Sequence, residues 1–139
     1  MSIGCAKVRQ LTVFLENRPG ILADLCAHLN DGGVDVRAMM TLENSDTGSV
    51  RMVVDSPDEA SRILTAADVA HTTTMCLAVQ MPNHPGGLAD VARLLSLAGV
   101  NIDYMYGSST AGSSTAFGIF GVSDLERAIS LDWSSAQLR

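Results

Sequence analysis

The chain of 139 residues has 15 acidic against 9 basic side chains, a formal net charge of −6, and 47% of its residues are hydrophobic. This acidic balance argues against a nucleic-acid backbone or an anionic membrane as the main partner, and the apolar content is too high for a disordered chain. No apolar stretch approaches the roughly 20 residues that span a bilayer, and the first residues lack the pattern of a signal peptide, so we expect a cytoplasmic protein.

The first half of the chain predicts alternating strands and helices. Strand segments are rich in β-branched and aliphatic residues, whereas the first helix shows apolar side chains at helical spacing and ends at the glycine pair Gly32 and Gly33. Pro57 suits the first position of a second helix. The predicted elements are a strand at residues 8–15, a helix from residue 21, strands at 34–42 and 49–54, a helix at 57–67 and, within 69–81, a fourth strand followed almost at once by the first strand of the second half.

Residues 81–102 repeat residues 15–36 without a gap, so that Asn17 corresponds to Asn83 and Gly33 to Gly99. The second half therefore predicts the same order of elements, but no strand is predicted after its last helix. We expect an α+β fold of two ferredoxin-like βαββαβ repeats with antiparallel sheets, at residues 1–73 and 74–139, the second lacking its last strand.

The two Asn-x-Pro-Gly loops are the candidate binding sites, because each joins a strand to the start of a helix. The first amides of a helix have no acceptor within it, and with the helix dipole they attract a carboxylate. Glycine permits close approach, and an asparagine amide both donates and accepts. The alternative is a tight turn with a capping asparagine. The candidate residues are Asn17, Arg18, Pro19, Gly20, Ile21 and Leu22 in the first loop and Asn83, His84, Pro85, Gly86, Gly87 and Leu88 in the second.

Two polar residues, Asp35 and Asn101, follow the glycines that end the helices and are further candidates for ligand contacts. They can face a ligand that is held by the loop of another unit, or they can simply be polar residues at a strand start. Amides such as those of Asn83 and Asn101 suit both ends of a zwitterion, whereas the carboxylate of Asp35 favours only an ammonium group. Because the second loop also has two successive glycines, we expect it to be the better site.

Catalytic chemistry is not indicated by the sequence. No nucleophile with a plausible base, no acid–base pair and no metal-ligand set stands out, and the cysteines at positions 5, 26 and 76 are too widely spaced for a disulfide framework. We therefore expect no enzyme activity, no metal and no cofactor. Two other hypotheses stay open, namely a small enzyme on a ferredoxin-like scaffold and an interaction module whose loops bind nothing.

Both repeats resemble the ACT domain, whose signature is a strand, an Asn-Arg-Pro-Gly-like loop, a helix and then Gly-Val/Ile-Asn-Ile. The resemblance implies a tandem pair that binds an amino acid or another small metabolite between ACT units and regulates enzymes of amino-acid metabolism, or transcription. In serine-binding members a histidine precedes the loop, and this chain has Leu15 and Met81 there. The matching segments are Asn17-Arg18-Pro19-Gly20 with Gly33-Val34-Asp35-Val36, and Asn83-His84-Pro85-Gly86 with Gly99-Val100-Asn101-Ile102.

An assembly of several copies is also expected. Each repeat is small, its strands are apolar, and the second repeat is predicted to leave a sheet edge open. Such an edge is a template for pairing, so a swapped segment or a second chain is expected to cover it. We therefore expect a homodimer or a higher homo-oligomer.

Overall fold

The computed structural model describes residues 4–43 and 47–134, so the expectations for the first three residues and for the chain after residue 134 lie outside it. In the described part, six strands and four helices follow the predicted order, except that one continuous strand, β4, replaces the two strands predicted within residues 69–81. None of these helices is long and apolar enough to cross a membrane. The elements are β1 (Gly4–Glu16), α1 (Ile21–Asp31), β2 (Val36–Glu43), β3 (Thr47–Val54), α2 (Pro57–Ala66), β4 (His71–Pro82), α3 (Gly87–Leu97), β5 (Ile102–Ser109), β6 (Thr115–Val122) and α4 (Leu125–Ser130).

The first of two compact units, which we call the first unit, comprises Arg9–Thr74. Its sheet has the strand order β2-β3-β1-β4, as in a ferredoxin-like fold, and β1 contributes only its residues 9–16. The antiparallel register places Leu11 and Met39 on either side of Met52. Helices α1 and α2 cover this face of the sheet, and the core consists of Leu11, Val13, Leu25, Leu29, Val34, Val50, Met52, Val54, Ala60 and Leu64.

The second unit combines residues 4–8 with residues 75–134. Its sheet has the equivalent order β1-β4-β6-β5. The indole N–H of Trp133, which is 6% exposed, donates to the carbonyl of Ala128 at 2.9 Å, so the chain after α4 closes over the core. The core consists of Leu77, Val79, Met81, Val91, Leu95, Val100, Phe120, Ala128 and Trp133.

The strand that the second repeat lacks in sequence is supplied by the start of β1. Cys5 packs against the core of the second unit, where burial raises the pKa of its thiol. Lys7 forms an ion pair with Glu126 of α4 in the same unit. This is why β1 begins at Gly4, before the strand that the sequence predicts. The predicted open edge is therefore covered by a segment of the same chain.

The glycines that end the two repeated helices have the same conformation. Gly33 and Gly99 both have φ +73°, in the left-handed region that favours glycine. The next N–H groups, of Val34 and Val100, each donate at 2.9 Å to a carbonyl five residues earlier in the helix. This is the hydrogen bonding of a glycine-terminated helix, and it confirms the predicted role of these glycines.

Candidate functional site

The first loop turns the chain from β1 into α1 through Gly20, whose φ of +86° and ψ of −9° are left-handed. The N–H of Ile21 donates back to the carbonyl of Arg18 at 3.3 Å. The next two amides, of Leu22 and Ala23, have no backbone acceptor among the described residues. These two donors are therefore available to an anionic group, as expected for a helix start.

Arg18 does not give the loop a free positive charge. Its guanidinium lies 3.4 Å from a carboxylate oxygen of Asp24 and 3.6 Å from one of Glu16, and it also donates to the carbonyl of Pro19 at 3.5 Å. These contacts are exposed and weak. Because two carboxylates balance the guanidinium, the backbone amides are the better donors for a ligand carboxylate.

A cavity of 360 Å³ opens beside the start of α1, and three predicted site residues line it. This volume lies within the roughly 300–1,000 Å³ that small-molecule sites occupy. The side chain of Asn17 is exposed and makes no hydrogen bond to another described residue, so both ends of its amide can serve a ligand. The lining residues are Leu15, Glu16, Asn17, Ile21, Leu22, Thr41, Leu42, Gly48, Ser49 and Val50.

The second loop has the same backbone turn as the first. Gly86 has φ +98° and ψ −15°, and the N–H of Gly87 donates to the carbonyl of His84 at 3.1 Å. The imidazole Nδ1 of His84 lies 2.8 Å from the carbonyl oxygen of Pro85, so this side chain folds back on its own loop. The two loops thus differ in their side-chain contacts and not in their main-chain course.

Asn83 donates hydrogen bonds from its side chain and its backbone to other residues of the second unit. Its amide nitrogen donates to the carbonyl of Ser113 at 2.9 Å and, more weakly, to that of Thr110 at 3.4 Å. Its backbone N–H also donates, to the carbonyl of Ser114 at 3.0 Å. Asn83 therefore fastens the connection between β5 and β6, and its donor groups are not free for a ligand as the sequence led us to expect.

Gly87 does not open the backbone to a ligand either. A Cβ atom there would lie 2.5 Å from the carbonyl oxygen of Pro82, so the missing side chain lets the start of α3 pack against the end of β4. This close packing corrects the expectation that two successive glycines leave open backbone. Leu88, the next residue, is 47% exposed.

The space that forms the cavity in the first unit is filled in the second. The strand registers place Gly118 where the first unit has Val50, and Met81 where it has Leu15. A Cβ atom on Gly118 would meet the ring of Phe120 at 2.8 Å and the methyl group of Met81 at 3.4 Å. These two larger side chains therefore occupy the volume that stays open beside α1.

Asp35 and Asn101 interact with their own neighbours at the starts of β2 and β5. The carboxylate of Asp35 lies 3.1 Å from Nε of Arg37. The N–H of Asp35 and the hydroxyl of Ser56 donate to Asp55, and these bonds hold the pKa of the Asp55 carboxyl below its usual range. The amide of Asn101 donates to Asp103 at 2.8 Å, and Asn101 lines a separate cavity of 410 Å³.

Within one unit, the loop and the polar residue at the strand start lie at opposite ends of the sheet. Leu15, next to the first loop, pairs with Gly48, whereas Val36, next to Asp35, pairs with Val54. These two pairs are six residue steps apart along β3, which corresponds to about 20 Å. A single unit therefore does not bring Asn17 and Asp35 to the same small ligand.

Sequence reasoning missed two features of this region. The residues that complete the cavity, such as Thr41 and Val50, come from other strands, and only the strand register could have identified them. In addition, Nε2 of His71 lies 2.8 Å from the hydroxyl of Ser61, and its Nδ1 lies 3.0 Å from the carbonyl of Val69. This pair links α2 to β4. Among the described residues, no three potential metal ligands come together.

Comparison with known proteins agrees with the architecture. A family model described as an ACT domain pair matches residues 6–131. A protein from Bacteroides thetaiotaomicron of known structure is 32% identical, with 90% of this chain and 85% of that chain covered and a TM-score of 0.84. No protein with a curated description matches the sequence significantly.

More distant structures share the fold. The ligand-free regulatory subunit of aspartate kinase from Thermus thermophilus is 16% identical, covers 98% of this chain and 94% of its own, and has a TM-score of 0.67. The corresponding subunit from Thermus flavus, also 16% identical, covers 93% of each chain with a TM-score of 0.61. At these identities the likeness is one of fold alone.

Proposed function

This chain belongs to the family of ACT domain pairs, and from that premise we propose that it is a non-catalytic cytoplasmic protein that binds an amino acid and thereby regulates an enzyme of amino-acid metabolism. The observation that carries the proposal is the 360 Å³ cavity beside the start of α1, whose edge carries two backbone amides and an asparagine side chain that have no hydrogen-bond partner among the described residues. None of the three cysteines forms a disulfide bond in the described structure, which supports a reducing compartment.

An amino acid matches the charges around this cavity. The amides of Leu22 and Ala23, at the positive end of the helix dipole, suit the α-carboxylate. The carboxylate of Glu16 and the amide oxygen of Asn17 lie on the same cavity and suit the α-ammonium group. A zwitterion is therefore neutralised at both ends, whereas a simple anion would face the charge of Glu16.

We propose that the ligand binds to the first repeat, and that the loop of the second repeat stabilises the fold without binding a ligand. This ranking is the reverse of the one expected from the sequence. It is supported by the contrast between Asn17, which has no described partner, and Asn83, whose amide fastens the β5–β6 connection. Asp35 and Asn101 remain candidates only for contacts with a ligand that another copy of the chain holds.

Replacing Asn17 and Asn83 separately by alanine is expected to give opposite results. Asn17→Ala removes a hydrogen bond to a charged ligand group, so affinity is expected to fall about ten- to a hundred-fold with little change in stability. Asn83→Ala is expected to keep the affinity and to lose about 1–2 kcal/mol of unfolding free energy. The probe is whichever of the twenty amino acids raises the melting temperature most, measured by calorimetry on both variants.

This pair of variants also contains its own control, because the two positions are equivalent in the repeat. Circular dichroism shows whether each variant is folded before the titration. If folded Asn83→Ala binds nothing while Asn17→Ala binds normally, the second loop is the site and our ranking is wrong. If no amino acid shifts the melting temperature of the unmodified chain, the proposed function itself fails.

We also propose that the chain forms a homodimer through the sheet face of the first unit that faces away from its core. Phe14 and Leu42 both pair with Ser49, so they lie in one row on that face, and they are 49% and 38% exposed. Burial of two large apolar side chains favours association. Light scattering at tens of micromolar is expected to give twice the chain mass, and Phe14→Ser is expected to give a monomer. A monomeric unmodified chain would refute this proposal.

A further inference from the structure

We infer that the amino acid bound beside α1 has an uncharged aliphatic side chain, and this inference rests on the function proposed above. The cavity has a charged edge and an apolar interior. Its charged lining residue, Glu16, has a side chain that is 81% exposed and lies next to Arg18. Leu15, Ile21 and Val50 contribute the apolar lining. The charged ends of the ligand therefore belong at the edge and its side chain inside.

The strand register explains why the interior is both open and apolar. Leu15 pairs with Gly48, and Val13 with Val50, so these residues share the face of the sheet that carries the core. Gly48 has no side chain, and a Cβ atom there would find its nearest neighbour at an ordinary distance of 3.5 Å. This glycine lines the cavity, where aliphatic groups from β1, β3 and α1 surround the open volume together with Thr41 of β2.

The charge pattern discriminates between classes of amino acid. A charged ligand side chain inside this cavity would lose its hydration, and the lining offers it no opposite charge except the exposed Glu16. An aliphatic side chain gains from burial, by about four-fold in affinity for each methylene group. Leucine, isoleucine, valine or methionine is therefore favoured over serine, aspartate, glutamate and arginine.

The filled interior of the second unit indicates that each chain binds one ligand. The positions equivalent to Leu15, Gly48 and Val50 are Met81, Ala116 and Gly118, and the ring of Phe120 extends over that last glycine. Because the interior volume is filled there, this position does not take a second aliphatic side chain, and the 420 Å³ cavity beside Ala116 is lined mostly by polar residues such as Gln80 and Ser113. The stoichiometry is therefore one amino acid per chain and not two.

The test is isothermal titration of the full chain with alanine, valine, leucine, methionine, serine, glutamate and lysine. Affinity is expected to rise from alanine to leucine, with glutamate and lysine at least ten-fold weaker than leucine and a stoichiometry of one. Leu22→Ala removes part of the lining at a position that is 38% exposed, so folding is expected to persist. This variant is expected to weaken leucine binding several-fold and alanine binding little. Leu88→Ala, at the equivalent position in the second repeat, is expected to leave the affinities for leucine and for alanine unchanged.

The outcomes separate this inference from the function on which it rests. Tighter binding of serine, glutamate or lysine than of leucine would overturn the aliphatic class and leave an amino-acid-binding protein. Equal effects of Leu22→Ala and Leu88→Ala, or two ligands per chain, would overturn the assignment to this cavity. Binding of no amino acid at all would overturn the proposed function and this inference with it.

Discussion

A chain that lacks residues 1–8 is expected to lose the folded second unit while the first unit, Arg9–Thr74, stays folded. The deletion removes the edge strand next to β4, the packing of Cys5 on the core and the ion pair between Lys7 and Glu126. Lost strand hydrogen bonds at about 0.5–1.5 kcal/mol each, together with the lost burial, amount to on the order of 3–5 kcal/mol. A unit of this size has little stability in reserve.

The single tryptophan makes this result easy to measure. Trp133 is buried in the second unit, so its fluorescence reports the unfolding of that unit, whereas circular dichroism reports both. In the deletion variant, Trp133 is expected to show the fluorescence of a solvent-exposed indole even in the absence of denaturant. Lys7→Ala, which removes only the exposed ion pair, is expected to cost less than about 1 kcal/mol. An unchanged fluorescence transition after the deletion would show that residues 4–8 do not complete this unit.

Gly87→Val is expected to destabilise the second unit by about 3 kcal/mol or more. Its Cβ atom would lie 2.5 Å from the carbonyl oxygen of Pro82, and a backbone atom cannot rotate away as a side-chain tip can. The start of α3 must therefore move off β4 and open the core beneath it. Urea unfolding followed by Trp133 fluorescence gives the change in unfolding free energy.

A second glycine of the chain serves as the control for this substitution. Gly48→Ala places a Cβ atom at an ordinary contact distance of 3.5 Å, so its effect is expected to stay within about 0.5 kcal/mol. The two variants together separate close packing from the general effect of replacing a glycine. Full stability of Gly87→Val would mean that α3 is not held against Pro82 in solution.

The local elements of the fold were predictable because their signals lie within short stretches of sequence. The glycines at positions 33 and 99 have the left-handed conformation that ends a helix, and Pro57 begins α2 as expected. The strand at residues 4–8 was not predictable in this way. Its partner in β4 is about 70 residues distant in the chain, and nothing in its own few residues indicates which sheet it joins.

The candidate loops were found from their motif, but the motif could not rank them. Both loops have the same turn, with Gly20 and Gly86 at φ +86° and +98°. What distinguishes them comes from elsewhere in the chain, since the carbonyl of Ser113 engages the amide of Asn83 and the ring of Phe120 fills the space near the second loop. Such neighbours follow from the register of strands, which one sequence does not specify.

The early position of the strand at residues 4–8 has a consequence for biosynthesis. The part of β4 beside this segment is made about 70 residues after it, which is roughly 4–14 s at ordinary translation rates. All strands of the first unit have been synthesised once Thr74 has emerged from the ribosome. At that stage the part of β4 that pairs with residues 4–8 has not yet been made. An incompletely translated chain therefore displays an unpaired strand end, the kind of feature by which chaperones and proteases distinguish unfinished proteins from finished ones.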